Sequence, residues 1–125
     1  MTWLAVGLGG ALGSIARHGM NVAVGRVFGQ PVPYATAAVN VIGCVVIGIL
    51  AGSIAAGNLR LTDTWRVFVF VGILGGFTTF SSFGLDTLIL VRSGATGLAI
   101  ANVVGQVALG LGGLFAGYWL IDGFR

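Results

Sequence analysis

The chain has 125 residues, of which 57% are hydrophobic and only 7% are charged, and its mean hydropathy is +1.05. Charged residues make up about a quarter of an average soluble domain, so this composition excludes an ordinary soluble fold. It predicts one small integral membrane domain over residues 1–125, without a signal peptide. The formal charge of +3 suits arginines at a membrane interface, and we predict no nucleic-acid partner.

Four apolar stretches are each long enough to cross a bilayer, which takes about 20 helical residues. The predicted spans cover residues 3–28, 34–56, 65–91 and 95–121. Turn-rich or polar links at residues 29–33, 57–64 and 92–94 separate them. We therefore predict an all-α membrane protein with four transmembrane helices, in a single four-span domain.

The third stretch contains GGFTTFSSFG at residues 75–84, which is unlike an ordinary spanning helix. Glycine costs about 1 kcal/mol per helical position relative to alanine, and hydroxyl side chains compete for backbone groups. We expect this run to break the helix near the middle of the membrane. The free carbonyl and amide ends of a broken helix are sites for ions, so the run indicates that the protein handles an ion.

Each predicted span carries two glycines four residues apart, a spacing that allows helix backbones to approach closely in lipid. The pairs are Gly9/Gly13, Gly48/Gly52, Gly72/Gly76 and Gly113/Gly117. They predict a tightly packed bundle without specifying which helices pair.

The arginines give almost no orientation signal. With four spans, Arg60, Arg66 and Arg125 fall on one side and Arg26 and Arg92 on the other. A count of three against two is nearly balanced, so the chain either inserts both ways up as an antiparallel dimer or has one orientation set by finer details.

Two predicted helix faces carry polar side chains. Thr36 and Asn40 are four residues apart in the second span, and Asn102 and Gln106 repeat this spacing in the fourth. Buried polar groups in a membrane either join helices or line a pathway. Together with Thr and Ser of the third span, they favour a polar pathway.

Phe80 and Phe83 share a face if the second half of the third helix starts near Thr79. Their ring edges are electropositive and can contact an anion, although packing is the more common role. Arg17 either extends to the membrane interface or makes an electropositive vestibule for anions. Asp86 either complements a helix dipole near the start of that second half or couples protons.

The remaining reactive residues indicate no catalysis. His18 and Cys44 are interpreted as packing residues because neither has metal-ligand neighbours in the sequence. No nucleophile–base set or phosphate loop is present, and we predict that the protein is not an enzyme.

Three motifs carry a resemblance to a known family. Residues 75–83, 36–43 and 9–17 resemble the third-helix signature, the Thr/Asn motif and the Gly-rich first-helix run of the CrcB/Fluc fluoride channels. Length, span number and motif order agree over essentially the whole chain. The resemblance implies a fluoride-selective channel in the cell (inner) membrane, surrounded by lipid, that exports fluoride passively and so gives fluoride resistance.

The resemblance also implies an assembly and a set of site residues. The assembly is a dual-topology dimer, of the chain with itself or with a paralogue, with two antiparallel pores and one central sodium ion. The implied pore phenylalanines are Phe80 and Phe83, and the pore asparagine is Asn40. With the polar residues above, the expected fluoride pathway comprises Asn40, Phe80, Phe83, Thr36, Thr79, Ser81, Asn102 and Gln106.

This chain departs from the family pattern in its fourth helix. Family members usually carry small hydroxyl residues or Tyr there, whereas this chain has Asn102 and Gln106. Gly84 also stands where Ser is common.

The sodium ion is expected at the helix break, where the resemblance implies that the backbone carbonyls of Gly75 and Thr78 from two chains hold it. Carbonyl oxygens suit hard cations. The alternative is that the hydroxyls of Thr78, Thr79 and Ser81 satisfy the freed carbonyls and no ion binds.

Two other functions remain open from the residues alone. A small proton-coupled multidrug exporter also has four spans and dual topology, but it needs a carboxylate facing a large apolar chamber, and Asp86 is the only candidate. A structural membrane subunit without transport is the third possibility.

Overall fold

The computed structural model describes residues 1–29 and 33–123. Two parts of the predictions lie outside these described residues. They are residues 30–32 of the predicted turn at residues 29–33, and Arg125 of the arginine count. The helices are α1 (Thr2–Phe28), α2 (Tyr34–Ala55), α3 (Asp63–Arg66), a π-helical segment (Val67–Leu74), α4 (Gly75–Phe77), α5 (Phe80–Arg92) and α6 (Thr96–Asp122). The described residues contain no β-strand.

Within the described residues, three helical stretches are long and apolar enough to cross a membrane: Tyr34–Ala55, Asp63–Arg92 and Thr96–Asp122. The predicted all-helical, multi-pass membrane protein is thereby confirmed. α1 has 27 residues but carries Arg17 and Arg26, and it is not among these three stretches.

Residues 63–92 are helical except at Thr78 and Thr79, a site that we call the helix interruption. Both residues have extended backbone, with φ/ψ of −79°/161° and −156°/120°. Gly75 has helical angles, so the interruption follows the glycine pair and does not include it.

Gly76 serves a packing role. A Cβ atom on Gly76 would lie 2.7 Å from the carbonyl oxygen of Gly10 on α1, closer than real Cβ contacts allow. The glycine pair is therefore explained in part by the close approach of α1.

The four glycine pairs join the helices in two sets. On α1, a Cβ at Gly13 would lie 2.1 Å from the carbonyl oxygen of Ile73. On α2, a Cβ at Gly48 would lie 2.1 Å from the carbonyl oxygen of Leu114 on α6. The predicted tight packing is confirmed, and the structure adds the pairing: α1 packs on residues 63–77, and α2 packs on α6.

The two helices of each set run in the same direction. Gly9 lies against Gly72, and Gly13 lies against Phe77 further along the same pair. In the second set, Gly48 lies against Leu114, and Gly52 lies against Tyr118. In both sets, a higher residue number on one helix lies against a higher residue number on the other, so the two helices are parallel. α5 then packs on α6 and α2, and the polar side chains lie at this junction.

Candidate functional site

An open groove of about 260 Å³ lies beside the helix interruption. Its lining brings together five residues of the expected pathway, Asn40, Thr79, Phe80, Phe83 and Gln106. Four further residues complete it: Cys44, Ile47, Thr78 and Val107. Thr36, Ser81 and Asn102, also expected on the pathway, are not in this lining.

Asn40 holds the interruption at two points. The backbone N–H of Thr79 donates to Asn40 Oδ1 at 2.8 Å, and Asn40 Nδ2 donates to the carbonyl oxygen of Thr79 at 3.0 Å. Extended backbone at Thr79 leaves both of its main-chain groups without helical partners, and such groups are expensive to leave unpaired away from water. The carboxamide of Asn40 therefore replaces the missing helical hydrogen bonds.

The same asparagine begins a line of side-chain hydrogen bonds. Asn40 Nδ2 donates to Gln106 Oε1 at 2.8 Å, and Gln106 Nε2 donates to Asn102 Oδ1 at 2.8 Å. Asn102 Nδ2 donates to Thr87 Oγ1 at 3.0 Å, and Thr87 donates to the carbonyl oxygen of Phe83 at 2.8 Å. We call Asn40, Gln106 and Asn102, with Thr79 and Thr87 at the two ends, the amide relay.

Phe80 and Phe83 meet as expected for residues three apart at the start of a helix. Their ring centroids are 5.5 Å apart with an interplanar angle of 41°. Phe80 is 83% exposed in the single chain, whereas Phe83 is partly buried. The groove thus combines amide groups on one wall with two aromatic rings on another.

Asp86 lies next to this region but not at the start of α5. It is the seventh residue of that helix and is only 6% exposed. The helix-dipole interpretation is therefore wrong, because the dipole acts within the first turn. Thr36 Oγ1 instead donates to Asp86 Oδ2, linking α2 to α5.

The hydroxyl groups at the interruption are used locally. Thr78 Oγ1 donates to the carbonyl oxygen of Leu74 at 2.9 Å. Thr79 Oγ1 accepts from the backbone N–H of Ser82 at 3.2 Å, which caps α5. Ser81 is exposed, with its hydroxyl 3.3 Å from that of Thr79. These bonds stabilise both sides of the interruption.

Arg17 approaches the interruption from α1. Its Nη1 donates to the carbonyl oxygen of Thr78 at 3.5 Å. Among the described residues no hydrogen bond reaches the carbonyl oxygen of Gly75, and Gly75 is exposed in the single chain. Gly75, three residues before the interruption, therefore keeps a carbonyl oxygen without a hydrogen-bond partner among the described residues.

Sequence reasoning missed two contributors. Cys44, interpreted as packing, lines the groove, and its position four residues after Asn40 on α2 was a signal for that. Thr87 ends the amide relay, and no spacing rule pointed to it. His18 is exposed in the single chain, so a packing role within this chain is wrong.

The fold and the groove define a multi-pass helical membrane protein with a polar site at a helix interruption. The chain belongs to the family described as CrcB-like protein, Camphor Resistance (CrcB), whose model matches residues 4–118.

Curated relatives match over nearly their full length. The chain is 45% identical over 121 residues to "Fluoride-specific ion channel FluC 2" of Nitrobacter hamburgensis, with 97% of both chains covered. It is 48% identical over 121 residues to "Fluoride-specific ion channel FluC" of Rhodopseudomonas palustris, again with 97% of both covered. A relative of the same name from Rhodospirillum centenum is 48% identical, with 94% of this chain and 93% of the relative covered.

Proposed function

We propose that this protein is a fluoride-selective ion channel that lets fluoride leave the cell passively across the membrane and so gives fluoride resistance. The observation that carries this proposal is the full-length similarity to proteins named fluoride-specific ion channels, at 45% and 48% identity. A channel performs no covalent chemistry, and we assign no enzymatic activity.

The chemistry of the groove suits a small anion. A dehydrated fluoride needs hydrogen-bond donors along its path, each weak enough to let it leave. Gln106 supplies an amide group, Thr79 supplies a hydroxyl, and Phe80 and Phe83 can supply electropositive ring edges. Asn40 also lines the groove, but it donates its amide hydrogens to Thr79 and Gln106 and so orients the path. We place the fluoride path along these five residues, with Ser81 at one end. Thr36 and Asn102, also expected on the path, lie outside the groove lining and instead bond to Asp86 and Gln106.

Arg17 extends this electrostatic pattern. It lies within reach of the interruption, and a cationic side chain near a low-dielectric groove raises the local concentration of anions. We propose that Arg17 forms the positive vestibule of the path.

We propose four membrane spans, the third broken near mid-membrane, and an antiparallel dual-topology dimer of this chain, with a paralogue as the alternative partner. Two features support four spans: α1 runs parallel to the third stretch, and α2 runs parallel to α6, as alternating spans require. The near balance of arginines and the exposed groove-side ring of Phe80 support the dimer.

We further propose that the carbonyls of Gly75 and Thr78 from both chains hold one structural Na⁺. The donor set fits a hard cation. The described residues contain no cluster of His, Cys, Asp and Glu able to bind a metal, so carbonyls are the ligands that remain. The Gly75 carbonyl is free, and the Thr78 carbonyl, which accepts from Arg17 at 3.5 Å, retains a second lone pair.

A liposome experiment tests the function. Purified protein should release fluoride measured by a fluoride electrode, should exclude chloride, and should need neither ATP nor a proton gradient. Absence of flux above that of empty liposomes, with folded protein shown by size-exclusion chromatography, would contradict the channel.

The same vesicles test the two alternatives. Proton-driven movement of a cationic dye would favour the multidrug exporter, and no movement of either solute would favour a structural subunit. The exporter gains no support from the relatives, and Asp86 is buried against Thr36 instead of facing a large chamber.

Separate measurements test the assembly and the ion. Single cysteines added at each terminus should label from both sides of intact cells if the topology is dual; labelling from one side only contradicts it.

Replacing Na⁺ by a larger cation during long dialysis should lower the melting temperature of the dimer, because a ligand of the folded state stabilises it by mass action. An unchanged melting temperature contradicts the sodium site.

A further inference from the structure

The amide relay has a direction that its first member imposes. A backbone N–H can only donate, so the group of Asn40 that faces the N–H of Thr79 must be its oxygen. Asn40 Nδ2 then faces the carbonyl of Thr79 and the side chain of Gln106, and it can only donate to both. The helix interruption therefore determines which way the Asn40 carboxamide points.

This direction passes on to α6. Gln106 must turn its oxygen toward Asn40, which leaves its Nε2 toward Asn102. Asn102 accepts with Oδ1 and donates with Nδ2 to Thr87. The hydroxyl of Thr87 can both accept and donate, so it ends the relay by donating to the carbonyl of Phe83.

Asn40 and Gln106 differ in how many of their amide hydrogens are used within the chain. Both hydrogens on Asn40 Nδ2 are used within the protein, one by Thr79 and one by Gln106. Gln106 Nε2 has two hydrogens and uses one, on Asn102. Gln106 therefore lines the groove and keeps one amide hydrogen that its hydrogen bonds within the chain do not use.

Asn102 differs from Gln106 in position. It is 6% exposed and lines a different groove, of about 220 Å³, on the other side of the α2–α6 contact. Gln106, 8% exposed, lines both grooves. Asn102 therefore has no surface in the groove that contains Phe80 and Phe83, but it contacts the side chain that does.

We propose that Asn102 is a positioning residue that acts on the fluoride path only through Gln106. Asn40 sets the direction of the Gln106 carboxamide, and Asn102 holds it there by accepting from Gln106 Nε2, without contacting the ion. This inference rests on the proposed fluoride path and assigns a role to two amide residues that depart from the family's usual fourth helix.

A double-mutant cycle on fluoride flux tests the dependence of one residue on the other. Asn102→Leu and Gln106→Met each remove the bond between them while roughly keeping volume, and each should lower flux per folded dimer about tenfold, the factor for one hydrogen bond of about 1.4 kcal/mol. The double variant should show the same tenfold loss, because Asn102 has no effect once Gln106 is gone. Val103→Leu, next to Asn102 but outside the relay, is the matched control and should retain wild-type flux.

The opposite results would overturn the proposal. If the double variant loses flux about a hundredfold, the product of the two single losses, then Asn102 contacts the ion independently of Gln106. Unchanged flux in Asn102→Leu would mean that Asn102 has no role. If the leucine variant does not fold, Asn102→Ala, which also removes the acceptor for Gln106, enters the same cycle with the same two interpretations.

A spectroscopic measurement reports on positioning without using flux. The chain has two glutamines, so selective ¹⁵N-glutamine labelling gives two side-chain amide groups, and the Gln106→Met variant identifies one of them. The Gln106 amide signals should move in Asn102→Leu and stay in place in Val103→Leu. Unmoved signals in Asn102→Leu overturn the proposal even if flux falls. If liposomes with the wild-type protein show no fluoride flux, the proposed channel function is contradicted. The Gln106 amide signals would still test the amide relay in that case.

Discussion

The two glycine-packed helix pairs use the same contact for different purposes. In both pairs a glycine on one helix lies directly against the backbone of the other, at Gly13 on α1 and at Gly48 on α2. Only the pair of α2 and α6 also carries buried polar side chains, at Thr36, Asn102 and Gln106. The glycine contacts thus hold both pairs together, while the polar chemistry is confined to the second pair and to α5.

The two pairs also differ in how they hydrogen-bond to the helix interruption. From the first pair, α1 contacts the helix interruption through a long bond from Arg17, at 3.5 Å. The second pair contacts it through the two-point bond of Asn40, at 2.8 and 3.0 Å. We conclude that the first pair is mainly a scaffold and that the second pair shapes the groove.

The largest effect should come from the glycine contacts, and it should be equal in both pairs. Gly13→Val and Gly48→Val each place side-chain carbons into a neighbouring backbone, and each should cost about 3 kcal/mol or more of folding free energy. The measurement is the yield and melting temperature of dimer in detergent. Gly7→Ala and Gly112→Ala, where a Cβ meets no atom within 4 Å, are matched controls that should stay folded. Stable valine variants would contradict the scaffold role.

The next effect should appear in transport. Asn40→Leu leaves the N–H and C=O of Thr79 without partners, so fluoride flux per folded dimer should fall about a hundredfold, the equivalent of two hydrogen bonds. Asn21→Leu, an exposed asparagine on α1, is the control and should conduct normally. A loss below about threefold in Asn40→Leu would mean that the interruption needs no side-chain support.

A smaller effect is expected at Thr36, where a substitution should change stability more than flux. Thr36→Val keeps the shape of the side chain but removes the donor to the buried carboxylate of Asp86, which should cost about 1–3 kcal/mol. Thermal unfolding measures this change, and Thr96→Val, exposed at the start of α6, is the matched control. If flux falls more than stability accounts for, Thr36 has a direct role in the path.

The smallest effect should come from the first pair. Arg17→Gln keeps a donor near Thr78 but removes the positive charge, so flux should fall only a few-fold at low ionic strength and the difference should shrink at about 1 M salt, where charges are screened within about 3 Å. An equal loss at both salt concentrations would indicate that Arg17 supports the Thr78 carbonyl instead of attracting anions.

Much of the fold could be predicted because the membrane restricts the choices. With no water to satisfy its backbone, a long apolar stretch must be a helix, so helix limits at residues 34–55 and 96–122 agree with the sequence to within one or two positions. The pairing of Phe80 with Phe83 also followed from local spacing, because α5 begins at Phe80. The interruption was expected in the right run; the structure has it at Thr78 and Thr79, after the glycine pair, of which Gly76 lies against α1.

Composition and spacing within one helix are enough to predict the class of protein, the helical stretches and the residues that carry polar chemistry. Which of those residues meet depends on how the helices pack. Asn40 contacts Thr79 and Gln106 across separations of 39 and 66 residues, and Thr36 contacts Asp86 across 50. Helical periodicity fixes which side of its own helix a residue occupies, but it carries no information about the rotation and depth of a neighbouring helix. Those were set by how closely the glycine faces pack, and they decided that Asp86 binds a threonine and that Asn102 lies behind Gln106.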